Sequence, residues 1–100
     1  MPYRISYLDE AKQDIKEASS WYKDKRKGLQ IQFANEVIKT ISSLSNFPTA
    51  YAIRHKNIRI AHTKVFPYGI YFYIDDVQMT VIIVAVLHDY RNNELIQSRL

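Results

Sequence analysis

The sequence predicts an α+β fold: a small, antiparallel-dominated sheet with an αα-hairpin packed on one face, in the order β-α-α-β-β-β. Three observations predict it. Tyr3 to Leu8 alternates in the period of a strand, two stretches between 9 and 44 repeat apolar side chains at steps of three and four, and the second half of the chain returns to period two. One hundred residues, 47% hydrophobic and 24% charged, with two Gly and three Pro, make a single globular domain over 1–100.

The elements follow in order. Tyr3, Ile5 and Tyr7 fall on one side of the first strand, with Arg4 and Ser6 on the other. Asp9 stands at an N-cap position, and Ala11, Ile15, Ala18 and the Trp21-Tyr22 pair then share one helical face. That helix ends near Arg26, where Lys25, Arg26 and Lys27 complement its negative end and Gly28 supplies a left-handed terminator. A second helix carries Ala34, Val37, Ile38, Ile41 and Leu44 on its stripe and stops before Pro48. So short a link makes the two helices antiparallel, and their common apolar face needs a sheet to cover it.

Asn57 to Thr63 alternates, which puts Ile58 and Ile60 toward the helices and turns Arg59, Ala61 and Thr63 away from them. Phe66-Pro67-Tyr68-Gly69 makes an irregular strand start, because proline donates no ladder bond. Beyond it Ile70, Phe72 and Ile74 face one way, Tyr71 and Tyr73 the other. Asp75-Asp76 marks a hairpin turn, and Met79 to Leu87, apolar almost throughout, is a central strand covered on both sides. Residues 92–100 form a short helix or a frayed tail. The face opposite the helices is then open, with Arg59, Tyr71 and Tyr73 on it and His88, Tyr90 and Arg91 at its rim.

Composition excludes several functions. With no Cys there are no disulfides, thiolate metal sites or thiol catalysis. His55, His62 and His88 lack the helical spacing of metal ligands, and Gly28 and Gly69 are the only glycines, so neither a metal nor a nucleotide cofactor is expected. The longest apolar run, Val81 to Leu87, is far short of the ~20 residues of a membrane span. Acids at 9, 10, 14, 17 and 24 break any signal-peptide core, so a cytoplasmic protein with no membrane partner is expected.

The net charge of +4 is concentrated. Residues 54–64 hold Arg54, Lys56, Arg59 and Lys64, two His and no acid, while the rest of the chain holds ten charges of each sign. Such a stretch suits nucleic acid or an acidic partner, and equally a solvated strand and loop. Metal-free RNA cleavage needs proton-exchanging groups and fixed cations. His88 and Tyr90 are of the first type, Arg59 and Arg91 of the second, and Lys56 and Lys64 could steer a strand in. Tyr71 and Tyr73 could stack bases. The same residues have a structural reading, as strand ends, β-formers and partners of surface acids such as Asp89 or Glu94.

Four stretches carry a resemblance. Asp9 to Tyr22, ending in Trp-Tyr, Gly28-Leu29 followed by Phe33, Ile58-Arg59 with Phe66-Pro67-Tyr68-Gly69-Ile70-Tyr71, and Val84 to Arg91, ending in His-x-x-Arg, resemble the RelE/ParE superfamily of bacterial toxins, above all its ParE-like branch of plasmid stabilisation proteins. The resemblance implies a toxin held inactive by a cognate antitoxin that wraps its helices and sheet. It implies one of two targets: DNA gyrase for ParE-like members, or messenger RNA in the ribosomal decoding site for RelE-like nucleases, whose basic and C-terminal groups have counterparts here in Arg59, Lys56 or Lys64, Tyr90 and Arg91. The strand where many such nucleases place an arginine reads Phe66-Pro67-Tyr68-Gly69, without a base, which favours the ParE-like reading. A nontoxic binding module on the same fold is the third possibility.

Overall fold

The computed structural model describes residues 2–90 and 94–100, with only the backbone at 94, 95 and 97. Strand β1 (Arg4–Tyr7) leads into helices α1 (Asp9–Lys25) and α2 (Leu29–Leu44), and a 3₁₀ turn at Pro48–Ala50 follows. Strands β2 (Ile53–His55), β3 (Ile58–His62), β4 (Tyr68–Asp75) and β5 (Thr80–His88) come next, and helix α3 (Glu94–Arg99) closes the chain. The five strands form one sheet in the order β1-β5-β4-β3-β2, with β1 parallel to β5 and every other pair antiparallel. This is the predicted α+β architecture with one strand more: β2 is three exposed residues on an edge, too short to show a period.

Helix α1 begins one residue earlier than the N-cap reading of Asp9. The Leu8 N–H donates to the Ile83 carbonyl and so ends the ladder, which leaves Asp9 and Glu10 in the first turn, where they complement the positive helix end. Gly28, at φ 91°, turns the chain between the helices in a conformation that a Cβ disfavours. The buried stripe of α2 is Phe33, Val37, Ile41 and Leu44, so Ile38, expected inside, is 60% exposed. The stripe is rotated because Phe33 takes the centre: its ring lies 5.1 Å from Tyr22, 5.4 Å from Phe66 and 5.0 Å from Tyr68. Burying that ring is worth about 1.5–3 kcal/mol. Trp21, next to Tyr22, stays 55% exposed.

Two faces of the sheet are apolar. Val81, Ile83 and Val86 of β5, Ile70 and Phe72 of β4 and Ala61 of β3 pack under the hairpin. Ile58, Tyr71, Val84, Ala85 and Leu87 form a second cluster on the other face, closed by Ile96 of α3. That face is therefore covered in part, where the sequence reading left it open. A bulge makes this possible: Tyr71 pairs with Ala85 but Phe72 pairs with Ile83, so Val84 is the extra residue and both Val84 and Ala85 reach the second cluster.

The faces of β3 are reversed from expectation. Arg59 pairs with Phe72 and Ala61 with Ile70, and both partners belong to the hairpin-side cluster. Ala61 is small enough to lie fully buried under the helices, and strand alternation then carries Arg59 to the same face. Ile58 and Ile60 take the other. Tyr71 and Tyr73 lie opposite the hairpin, as read. The turn after β4 runs to Met79 rather than closing at Asp75-Asp76, with the Gln78 N–H donating to Asp75 Oδ1 at 3.1 Å.

Candidate functional site

Strand β5 is nine residues long, but β1 covers its outer edge only from Thr80 to Ile83. Past that point the edge is met by side chains. Asp14 Oδ2 accepts the Val86 N–H at 3.1 Å, and Arg99 Nη1 donates to the Val84 carbonyl at 3.2 Å. The two side chains also bind each other, with Nη1 to Oδ2 at 2.6 Å and Nη2 to Oδ1 at 3.0 Å, while only 12% and 10% of Arg99 and Asp14 side chains remain exposed. The hydrogen bond to Asp14 raises the Arg99 pKa, burial opposes it, and the fields of Asp14, Glu10 and Glu17 add to the rise. One forked ion pair thus ties α3 to α1 across the end of the sheet. The sequence gives no local signal of it, because 85 residues separate the partners.

Next to this pair, a cleft of 310 Å³ opens between α1 and the end of β5. Asp14, Glu17, Trp21, Tyr68, Val86 and His88 line it. His88 lies edge-on to Tyr68, with ring centroids 5.3 Å apart, and Tyr90 stacks on it at 5.2 Å. The Tyr90 N–H donates to His88 Nδ1 at 3.2 Å, so in the neutral ring Nε2 carries the proton. The Tyr90 side chain is 93% exposed. His88 and Tyr90 are therefore together, as read from sequence, but on the hairpin side and beside carboxylates. Arg91, the other rim residue, lies outside the described residues.

Arg59 is elsewhere. Its Nη1 donates to the Tyr51 carbonyl at 2.6 Å, which pins the segment before β2. Arg59 pairs with Phe72 and His88 with Tyr68, so they differ by four residues along β4 and lie on the strands either side of it. That places them roughly 15 Å apart. Arg54 is on β2 and Lys56 in the β2–β3 turn at φ 52°, both exposed. The Lys64 N–H donates to Glu36 Oε1 of α2 at 3.1 Å. The basic stretch thus borders the β2–β3 side of the sheet and the flank of α2, and does not gather on the face opposite the helices.

On that opposite face the sequence reading missed one pair. His62 Nδ1 is 3.3 Å from Asp89 Oδ1, and Gly69 sits beside it, where a Cβ would lie 3.6 Å from the His62 ring and 3.4 Å from Tyr71. Burial raises the Tyr71 pKa and the Asp89 charge adds to the shift. Only cross-strand pairing of His62 with Gly69, and of Gly69 with Leu87, brings these residues together. Among the described residues no group of three His, Cys, Asp or Glu could hold a metal, and no helix is long and apolar enough to cross a membrane.

This fold is that of toxins from toxin-antitoxin pairs. The chain matches a structure of the chromosomal ParDE system from P. aeruginosa over 86% of its length and 95% of that chain, with a TM-score of 0.75 at 11% identity. It matches the RelBE2 toxin-antitoxin complex from Mycobacterium tuberculosis over 88% and 99%, with a TM-score of 0.64 at 20% identity. The isolated RelE toxin of E. coli is matched over 98% and 99%, with a TM-score of 0.58 at 13% identity. No curated protein matches the chain. The family model for the ParE toxin of the type II toxin-antitoxin system parDE matches residues 5–93, and the chain belongs to that family.

Proposed function

We propose that the chain is a single toxin domain that stops growth by binding DNA gyrase, and that a cognate antitoxin holds it inactive. Membership of the ParE toxin family supports the toxin role, and the ParDE and RelBE2 structures support the antitoxin. The observation that favours gyrase over messenger RNA is the separation, among the described residues, of Arg59 from His88 and Tyr90. Arg59 is committed to the Tyr51 carbonyl, roughly 15 Å from His88, and the cleft at His88 carries the Glu17 carboxylate beside the Asp14–Arg99 pair. A reacting phosphodiester needs its cation and its proton-exchanging group within a few ångströms of one phosphate, and a carboxylate there repels it. The exposed Arg54 and Lys56 suit an acidic protein surface, where rim charges speed encounter.

Supercoiling by purified gyrase in the presence of the purified chain tests this. Loss of supercoiling, or accumulation of cleaved DNA, is expected. Full supercoiling with intact DNA at saturating toxin overturns it.

A further inference from the structure

Two histidines meet the end of β5, and a proton on each does opposite work. Histidine is the side chain that ordinarily changes charge between about pH 5 and about pH 8. His88 closes the strand, and the two residues after it are held by different bonds. Asp89 N–H donates to the Pro67 carbonyl at 2.8 Å, and Tyr90 N–H donates to His88 Nδ1 at 3.2 Å. By alternation the Asp89 side chain lies on the other face from His88, and there its Oδ1 is 3.3 Å from His62 Nδ1.

Only a neutral His88 can accept at Nδ1. The imidazolium is a donor at both nitrogens, so it meets the Tyr90 N–H donor to donor. The charges around His88 favour that proton: Glu17 of α1 lines the same cleft, as does Asp14, which Arg99 of α3 largely neutralises. Tyr68 of β4 and Tyr90 contribute rings against it and no formal charge. His62 has the reverse dependence, because protonation turns its contact with Asp89 into an ion pair. Tyr71 of β4 stands beside it across Gly69, and on its α2 flank a cleft brings Glu36, Lys39 and Lys64, with Glu36 already accepting the Lys64 N–H.

We propose that the end of β5 is a proton-operated hinge between Asp89 and Tyr90. Acid breaks the bond that holds the Tyr90 backbone and tightens the hold on Asp89, so the strand stays closed while Tyr90 is released. An imidazolium still stacks on a phenol, so what acid removes is the backbone bond that sets the direction in which Tyr90 leaves the strand. The Tyr90 side chain is 93% exposed, and the hinge therefore re-aims the most prominent aromatic on this rim. The device stands whether or not gyrase is the target.

The experiment is an NMR pH titration of the full isotope-labelled chain from about pH 8 to about pH 5, following the histidine rings and the backbone amides. At the alkaline end the His88 ring should carry its proton on Nε2. The Tyr90 amide should shift with the midpoint of the His88 ring itself, and its protection against exchange, relative to an unstructured peptide at the same pH, should fall about fivefold. The Asp89 amide should keep its protection throughout. In His88→Asn, whose Oδ1 accepts where Nδ1 did but does not titrate, the Tyr90 amide should stay protected at both ends. In His62→Asn the Asp89 amide should lose about half its protection at about pH 5 and little at about pH 8, since an exposed ion pair is worth little more. A proton on Nδ1 of neutral His88, a Tyr90 amide that ignores the His88 midpoint, or the same Tyr90 response in His88→Asn would each overturn the proposal. So would loss of Asp89 and Tyr90 protection together, which would mean that the strand end melts as a unit.

Discussion

The two ends of the sheet treat charge in opposite ways. At the β5 end a single arginine is buried against a single aspartate, and each also satisfies a backbone group that lacks a neighbouring strand. At the β2 end Arg54 and Lys56 stand in solvent, and Arg59 spends its guanidinium on one carbonyl. The first end is charge used as structure, and at the second two of the three cations are left in solvent. The difference shows that density of charge along the chain and energetic consequence of charge are separate quantities, because burial decides the second.

The sharpest way to break the contrast is Arg99→Ala. It leaves Asp14 charged and buried with half its partners gone, and a loss of about 3–5 kcal/mol of stability is expected from denaturant unfolding. A change below about 1 kcal/mol would mean that the pair is solvent-screened and that the β5 end resembles the β2 end. Gly28→Ala comes next. At φ 91° the added Cβ should cost about 1–2 kcal/mol, although nothing lies within 4 Å to clash with it.

A shallower effect is expected from alkali. Burial raises the pKa of Tyr7, Tyr22 and Tyr71 above the ordinary 10.0, so the folded state holds these protons more tightly than the unfolded state. Their contribution is fully present below pH 10 and is lost as pH rises through the folded values, so thermal stability should fall only above that point. The smallest stability effect belongs to the β2 end. Arg54→Glu with Lys56→Glu should change unfolding by less than about 0.5 kcal/mol, yet it should slow partner association and weaken growth arrest. A large stability loss there would show that the edge is structural.

Much of the fold was legible because its periods are clean. Tyr71 and Tyr73 opposite Phe72 and Ile74, the left-handed Gly28 and the doubly covered β5 all follow from alternation, turn chemistry and an unbroken apolar run. The site was less legible. In β3 both alternating sets contain apolar residues, Ile58 with Ile60 against Ala61, so the period alone could not say which set meets the helices. Packing under the hairpin favoured the smaller side chain and took Arg59 with it. Asp14, on the polar flank of an amphipathic helix, and Arg99, in a segment read as a possible tail, carry no local mark of pairing. The bulge at Val84 is likewise invisible in a run where every residue is apolar.

The proposed action of this toxin is protein contact at gyrase. Inducing it in growing cells while following a DNA-damage reporter and amino-acid incorporation together tests that most directly. The damage signal should rise while protein synthesis continues. Synthesis that stops first, with new 5′ ends in translated messages, would contradict it.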